Sequence, residues 1–205
     1  KRLDTFFAAV EADAAGRAAE VQEEIAFFRA NQALASELTD MQERGAVPLR
    51  VTHNDTKINN VLFDRMTGAP LTVIDLDTVM PGLAMHDFGD AVRFAASTAA
   101  EDEPDLAKVS LDMEKFRAFA EGFIGKTADA LTQNEIRTMA LGAITITIEL
   151  ASRFLADYLD GDRYFKVNYP THNLVRARCQ IALAKDMLAK RDRMEAIVRQ
   201  ITANV

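Results

Sequence analysis

Apolar residues recur at helical spacing from about residue 3 to residue 42, with Val21, Ile25 and Phe28 on one stripe and Glu, Gln and Arg on the other. This predicts a short and then a long amphipathic helix, broken near Gly16. Gly45 and Pro48 close that region, and the period changes. Residues 49–52 and 61–63 are apolar runs too short for helices and read as strand stubs; residues 71–77 read as a strand returning after the turn at 66–70. Met80, Pro81 and Gly82 read as a turn. Helical spacing resumes over 85–96 and over 111–124, where Met113, Phe116, Phe119 and Phe123 form the stripe. Thr132 and Glu135 make a capping box for a helix to about 159, and a last helix spans about 173–201. Residues 139–148 are apolar nearly all round, which predicts a helix crossing the core and falls short of the roughly 20 residues of a membrane span. The expected class is mainly α with a small β component (α+β).

Composition changes this picture little. The 205 residues, 49 % apolar with a net charge of −7, suit one lobe of a soluble globular protein and give no basic surplus for nucleic acid. Cys179 is the lone cysteine and sits in an apolar helical pattern, so a buried, inert thiol in a reducing compartment is expected, and with it a cytoplasmic location. No signal peptide is read at the start of the chain. The acidic run Glu101-Asp102-Glu103 reads as a solvated loop.

The polar chemistry is concentrated between residues 51 and 94, where His53, Asn54, Asp55, Lys57, Asn60, Asp75, Asp77 and Asp87 fall among the strand stubs. A rigid scaffold that grips a polar loop is a usual setting for catalytic groups. Period-two alternation would put Val73, Asp75 and Asp77 on one face of the returning strand. Carboxylates on an inward face need a cation, and magnesium, which takes hard oxygen ligands beside water and phosphate, fits best. An Asp, a Lys two positions on, an Asn five positions on and an apolar-Asp pair about twenty residues later follow the order of a phosphoryl-transfer loop.

Residues 53–60, HNDTKINN, resemble the H-x-D-x-x-x-x-N catalytic loop of the protein-kinase-like phosphotransferases, and residues 74–77, IDLD, their metal-binding segment. The match is closer to the aminoglycoside and choline kinase branch. The segments HNDTKINNVLFD, IDLDTVMPG, HDFGDAVRF and RFLADYLDGDRYF are most similar to the N-acetylhexosamine kinase group, whose members phosphorylate the anomeric hydroxyl of an amino sugar. The resemblance implies ATP as co-substrate and Mg²⁺ as cofactor. It makes Asp55 the base and points Lys57 at the transferring phosphoryl group; Asn60 and Asp75 hold the metal, and Arg153, Tyr164 and Phe94 line the sugar pocket. His53, Asp77 and Asp87 take supporting roles, Asp87 as an N-cap-like start of the following helix.

Other readings of these residues stand beside it. His53 can be a satisfied structural histidine, and Arg153 can belong to an ion-pair ladder with Glu149 and Asp157. The acceptor can be an aminoglycoside or choline, or the chain a non-catalytic binding protein of the same fold. The resemblance runs over the whole chain as the C-terminal lobe of a kinase: helical residues 1–48, the catalytic and metal loops at 49–94, and a helical substrate-binding part at 95–205. No Gly-rich phosphate loop follows a strand, so the ATP-binding N-terminal lobe is expected to be missing and the chain alone to be nearly inactive.

Overall fold

The helical period of residues 3–42 is realised as three helices, α1 (Arg2–Ala12), α2 (Gln22–Ala30) and α3 (Gln32–Glu43), with Gly16 in the break after α1 at φ +68°. The computed structural model describes residues 2–203. Four strands of three or four residues follow: β1 (Arg50–Thr52), β2 (Val61–Phe63), β3 (Pro70–Val73) and β4 (Met80–Gly82). The remaining helices are α4 (Ala84–Ala95), α5 (Met113–Thr127), α6 (Gln133–Arg137), α7 (Met139–Leu159), α8 (His172–Ala189) and α9 (Arg191–Thr202). The protein is mainly α with a small β component.

The chain forms two compact units. The first combines Lys1–Glu37, Thr98–Leu111 and Ile144–Ala189. Its core stacks Phe6 on Phe28, ring centroids 4.6 Å apart, beneath α2 and α8. The acidic loop expected to be simply solvated is strapped to α8: Asp102 lies 3.0 Å from His172 Nε2, and the buried Cys179 thiol donates to the Ala100 carbonyl. Burial and the carboxylates of residues 101–103 push that thiol up to about 11.

The second unit combines Leu38–Ser97, Asp112–Ala143 and Lys190–Val205 and carries all four strands. The predicted phenylalanine stripe of α5 closes on Phe88 of α4, whose ring lies 5.4–6.0 Å from those of Phe116, Phe119 and Phe123. Backbone meets backbone where α4 crosses α7. A Cβ on Gly142 would strike the Met85 carbonyl oxygen, and one on Gly89 would stand 2.6 Å from the Gly142 carbonyl, so only glycine fits this crossing.

Four local expectations differ. Met80–Gly82 is a strand, antiparallel to β1 with Thr52 opposite Met80 and Pro81 opposite Val51; proline is tolerated because the ribbon has only two strands. The returning strand β3 pairs with β2 but ends at Val73. Thr138 separates α6 from α7, and Lys190 separates α8 from α9. α7 is long and apolar enough, by length and composition, to cross a membrane, but 72 % of that window is buried inside the protein, as in a core helix. Both two-stranded ribbons leave large apolar side chains in solvent, Val51 and Met80 in one and Leu62, Phe63, Leu71 and Val73 in the other.

β1 is anchored by one buried pair. Glu135, 0 % exposed, accepts from Arg50 Nε at 2.9 Å and Nη2 at 2.8 Å while closing the capping box with the Thr132 amide. Burial pushes the Glu135 carboxyl up, but the Arg50 guanidinium and Thr132 outweigh it and hold the carboxyl below its ordinary value. A depressed carboxyl stabilises fully above the unfolded glutamate range and loses that contribution as pH falls through the depressed value. Glu135→Gln is therefore expected to remove about 2 kcal/mol at neutral pH, and to flatten the acid limb of a urea-unfolding series. An unchanged acid limb would exclude this pair as its source.

Candidate active site

The loop between β1 and β2 is built around a backbone that turns left-handed at Asn54, φ +64°, a conformation asparagine tolerates better than most residues. Its side-chain amide donates to the carbonyls of Thr52 and Thr78, at 3.2 and 3.0 Å, tying the end of β1 to the chain entering β4. Gly82 is required beside it, because a Cβ there would strike the Thr52 hydroxyl and approach Asn54 Oδ1 to 2.8 Å.

Helix α4 holds this loop from below. Asp87 accepts from the amides of His53 and Asn54, both at 2.8 Å, and Asp90 accepts from the amide of Thr56 at 2.9 Å. The Thr56 hydroxyl donates to the Asp87 carbonyl. Amides on both sides of Asp55 are thus fixed by two carboxylates of one helix. Asp87 lies within the first turn of α4 and does not cap it; the N-cap is Leu83, which makes no side-chain cap bond. The expected capping carboxylate binds the amides of the His53–Asn60 loop instead. Burial pushes the Asp87 carboxyl above the ordinary aspartate value, and the two amides oppose that rise only in part. Asp90 is in turn paired with Arg93, which donates to its Oδ1 from Nε at 3.1 Å and Nη2 at 2.8 Å and is 4 % exposed.

His53 links the loop to the segment after β3. Its Nδ1 accepts from the Asp55 amide at 3.3 Å, which assigns the proton to Nε2, and that proton goes to the Ile74 carbonyl at 3.0 Å. The Ile74 amide donates to the Asn60 carbonyl at 2.9 Å. Ile74 is clasped from both sides by the His53–Asn60 loop, and the next residue is Asp75.

Asp75 has φ +61° and opens a 3-10 turn, Leu76–Thr78, so the strand alternation predicted for residues 73–77 ends before it. Asp75 and Asp77 do not share an inward strand face: both are exposed and need no burial compensation. Thr78 ties the turn back by donating to the His53 carbonyl at 2.6 Å. Asn60, 6 % exposed, donates from Nδ2 to the Asp55 carbonyl at 2.8 Å, which leaves its Oδ1 as the atom open to a ligand. Lys57 Nζ lies 3.1 Å from Asp55 Oδ2. Among the described residues no group of three or more His, Cys, Asp and Glu side chains is arranged around a metal position. Asn60 Oδ1 and the Asp75 carboxylate are two hard oxygen donors, a set that suits magnesium sharing its remaining positions with water and phosphate.

Arg153 and Tyr164 belong to the other unit and lie together there. The Arg153 Cζ stands 5.7 Å from the Tyr164 ring centroid and 5.4 Å from that of Phe165, at a pocket of about 610 Å³ between α1, α7 and the loop after α7. Phe94, half-buried in the last turn of α4, does not line that pocket.

Residues 1–119 match the model of the phosphotransferase enzyme family. The chain belongs to that family. The match includes every residue of the His53–Asn60 loop and of the turn from Ile74 to Thr78, and leaves Arg153 and Tyr164 of this phosphotransferase outside it.

Asp90, Arg93 and Thr56 carry structure around Asp55 that no spacing rule singles out. The available signal was a charged pair, i and i+3, on the side of α4 opposite its apolar stripe of Met85, Phe88 and Val92. Asp157 was read only as a step of a charge ladder; its carboxylate accepts from loop amides.

Proposed function

We propose that this phosphotransferase acts in ATP- and magnesium-dependent transfer of a phosphoryl group to the anomeric hydroxyl of an N-acetylhexosamine or a similar sugar. What carries the transfer chemistry is the clasp on Ile74, which ties Asp75 to the loop holding Asp55 and Asn60. Asp55 orients the attacking hydroxyl and accepts its proton. Lys57 faces the transferring phosphoryl group. Asn60 and Asp75 would hold magnesium, which when bound supplies charge neutralisation to the ATP phosphates. His53, Asp77 and Asp87 keep these groups in register.

The sugar assignment is supported by the Arg153, Tyr164 and Phe165 arrangement: aromatic faces suit the C–H side of a sugar ring, and a guanidinium supplies donors for hydroxyl and acetamido oxygens. A basic acceptor, an aminoglycoside or choline, has one observation in its favour, since Asp157 and Asp160 also line the pocket. The Asp157 oxygens, however, are already taken by N–H donors, and Arg153 would repel a cation. The test is an acceptor screen on a chain carrying the phosphate loop and ATP lysine that the resemblance implies. N-acetylglucosamine or N-acetylgalactosamine should be phosphorylated in preference to choline and aminoglycosides, and Arg153→Ala should raise the acceptor KM more than the ATP KM. Preference for a cationic acceptor would overturn the sugar reading and leave the phosphotransferase one standing.

A further inference from the structure

We infer that Asp157 is a positioning residue for acceptor recognition: it fixes the backbone of residues 163–165 so that Tyr164 and Phe165 stand against Arg153. This rests on the reading of Arg153 and Tyr164 as acceptor-binding residues.

Asp157 sits in the last turn of α7, one turn after Arg153 and on the same face. Its carboxylate reaches past the helix end and gathers three successive amides: Arg163 at 2.9 Å and Tyr164 at 2.8 Å on Oδ1, and Phe165 at 2.9 Å on Oδ2. Oδ2 also accepts from Asn173 Nδ2 at 2.8 Å. Four donors use the lone-pair sites that a carboxylate offers, so Asp157 has none to spare for a ligand or for a salt bridge to Arg153. Asn173, 0 % exposed, divides its amide between Asp157 and Asp162 Oδ1, and Arg17 holds the other oxygen of Asp162 at 2.7 Å.

The loop these contacts shape makes its tight bend at Gly161 and Asp162, both at positive φ. Beyond the bend the rings of Tyr164 and Phe165 meet edge to face, 4.8 Å apart, and Phe165 packs on Phe154 at 4.7 Å. Tyr164 is 74 % exposed, so packing alone does not hold it. Its position comes from its backbone, and its backbone from Asp157. One helix face therefore supplies both the guanidinium and the anchor of the aromatic wall beside it.

An asparagine at this position must turn an NH₂ group toward N–H donors and cannot satisfy all four. The test compares wild type, Asp157→Asn and, as a milder change that spares the three amides, Asn173→Ala. Two signals are read on this chain: the Arg153 Nε–H resonance, displaced by the ring currents of Tyr164 and Phe165, and the affinity for N-acetylglucosamine and N-acetylgalactosamine in an NMR titration. Asp157→Asn is expected to move the Arg153 resonance toward the free-arginine position and to weaken sugar binding about tenfold, as for the loss of a charge-assisted hydrogen bond, with Asn173→Ala in the same direction but smaller. A variant that only loosened the helix end would leave the Arg153 resonance in place. An unmoved resonance in both variants overturns the inference, as does a moved resonance with unchanged sugar affinity. A moved resonance in a protein whose wild type binds neither sugar upholds the positioning by Asp157 and overturns the sugar reading instead.

Discussion

Asp55→Asn is expected to lower acceptor phosphorylation by about 10²–10⁴-fold while leaving nucleotide binding largely intact, the range a positioned general base contributes. The change keeps the volume of the side chain and removes its basic oxygen. It weakens the 3.1 Å pair with Lys57 but leaves the loop backbone in place: the amides of His53, Asn54 and Thr56 donate to Asp87 and Asp90, and the Asp55 carbonyl accepts from Asn60. A loss of turnover therefore reports the carboxylate and not a collapsed loop. The measurement is the acceptor-dependent rate in a chain carrying the phosphate loop and lysine, with the ATP KM beside it. Activity surviving within about tenfold would remove Asp55 from the base role, since even modest proton transfer contributes more.

Arg93→Ala should have the largest effect on stability, a loss of about 3–5 kcal/mol, because it strands the Asp90 carboxylate without its cation in a nearly solvent-free position. Against the 5–15 kcal/mol typical of a folded domain, roughly a third or more of the total would be gone. The cost is in the broken pair, so the double change Asp90→Leu with Arg93→Met should recover much of it by placing apolar volume where the ions were. Urea unfolding at constant m-value reads both. A double variant no more stable than Arg93→Ala alone would show that the unpaired Asp90 charge is not the source of the loss.

The same residues mark how far the linear pattern could be read. The loop from His53 to Asn60 was legible as a polar loop between two strand stubs because turn and strand signals are short-range, and the helices because their period is local. Asp75 was placed by sequence but its setting was not: alternation predicts a strand through residue 77, whereas the backbone turns left-handed at Asp75 once Ile74 has been clasped by His53 and Asn60, partners 21 and 14 positions away. Asp87 looked like the cap of its own helix, a local role, yet its acceptors serve amides 33 and 34 positions upstream. Met80–Gly82 carries every sign of a turn and becomes a strand through pairing with β1. In each case a long-range hydrogen bond outweighed a local propensity, and such bonds leave no periodic trace.

The two ribbons around the candidate site, β1 with β4 and β2 with β3, are each only two strands wide. Each is a pair of strands with solvent against large apolar side chains, a condition in which a ribbon is only marginally stable in water. The helices of the same unit are held by packed phenylalanines, Phe88 against Phe116, Phe119 and Phe123. Warming would therefore soften the ribbons while the helical content is still intact, and the temperature at which Ile74 lets go of Asn60 would be set by a few strand residues, not by the melting of the core.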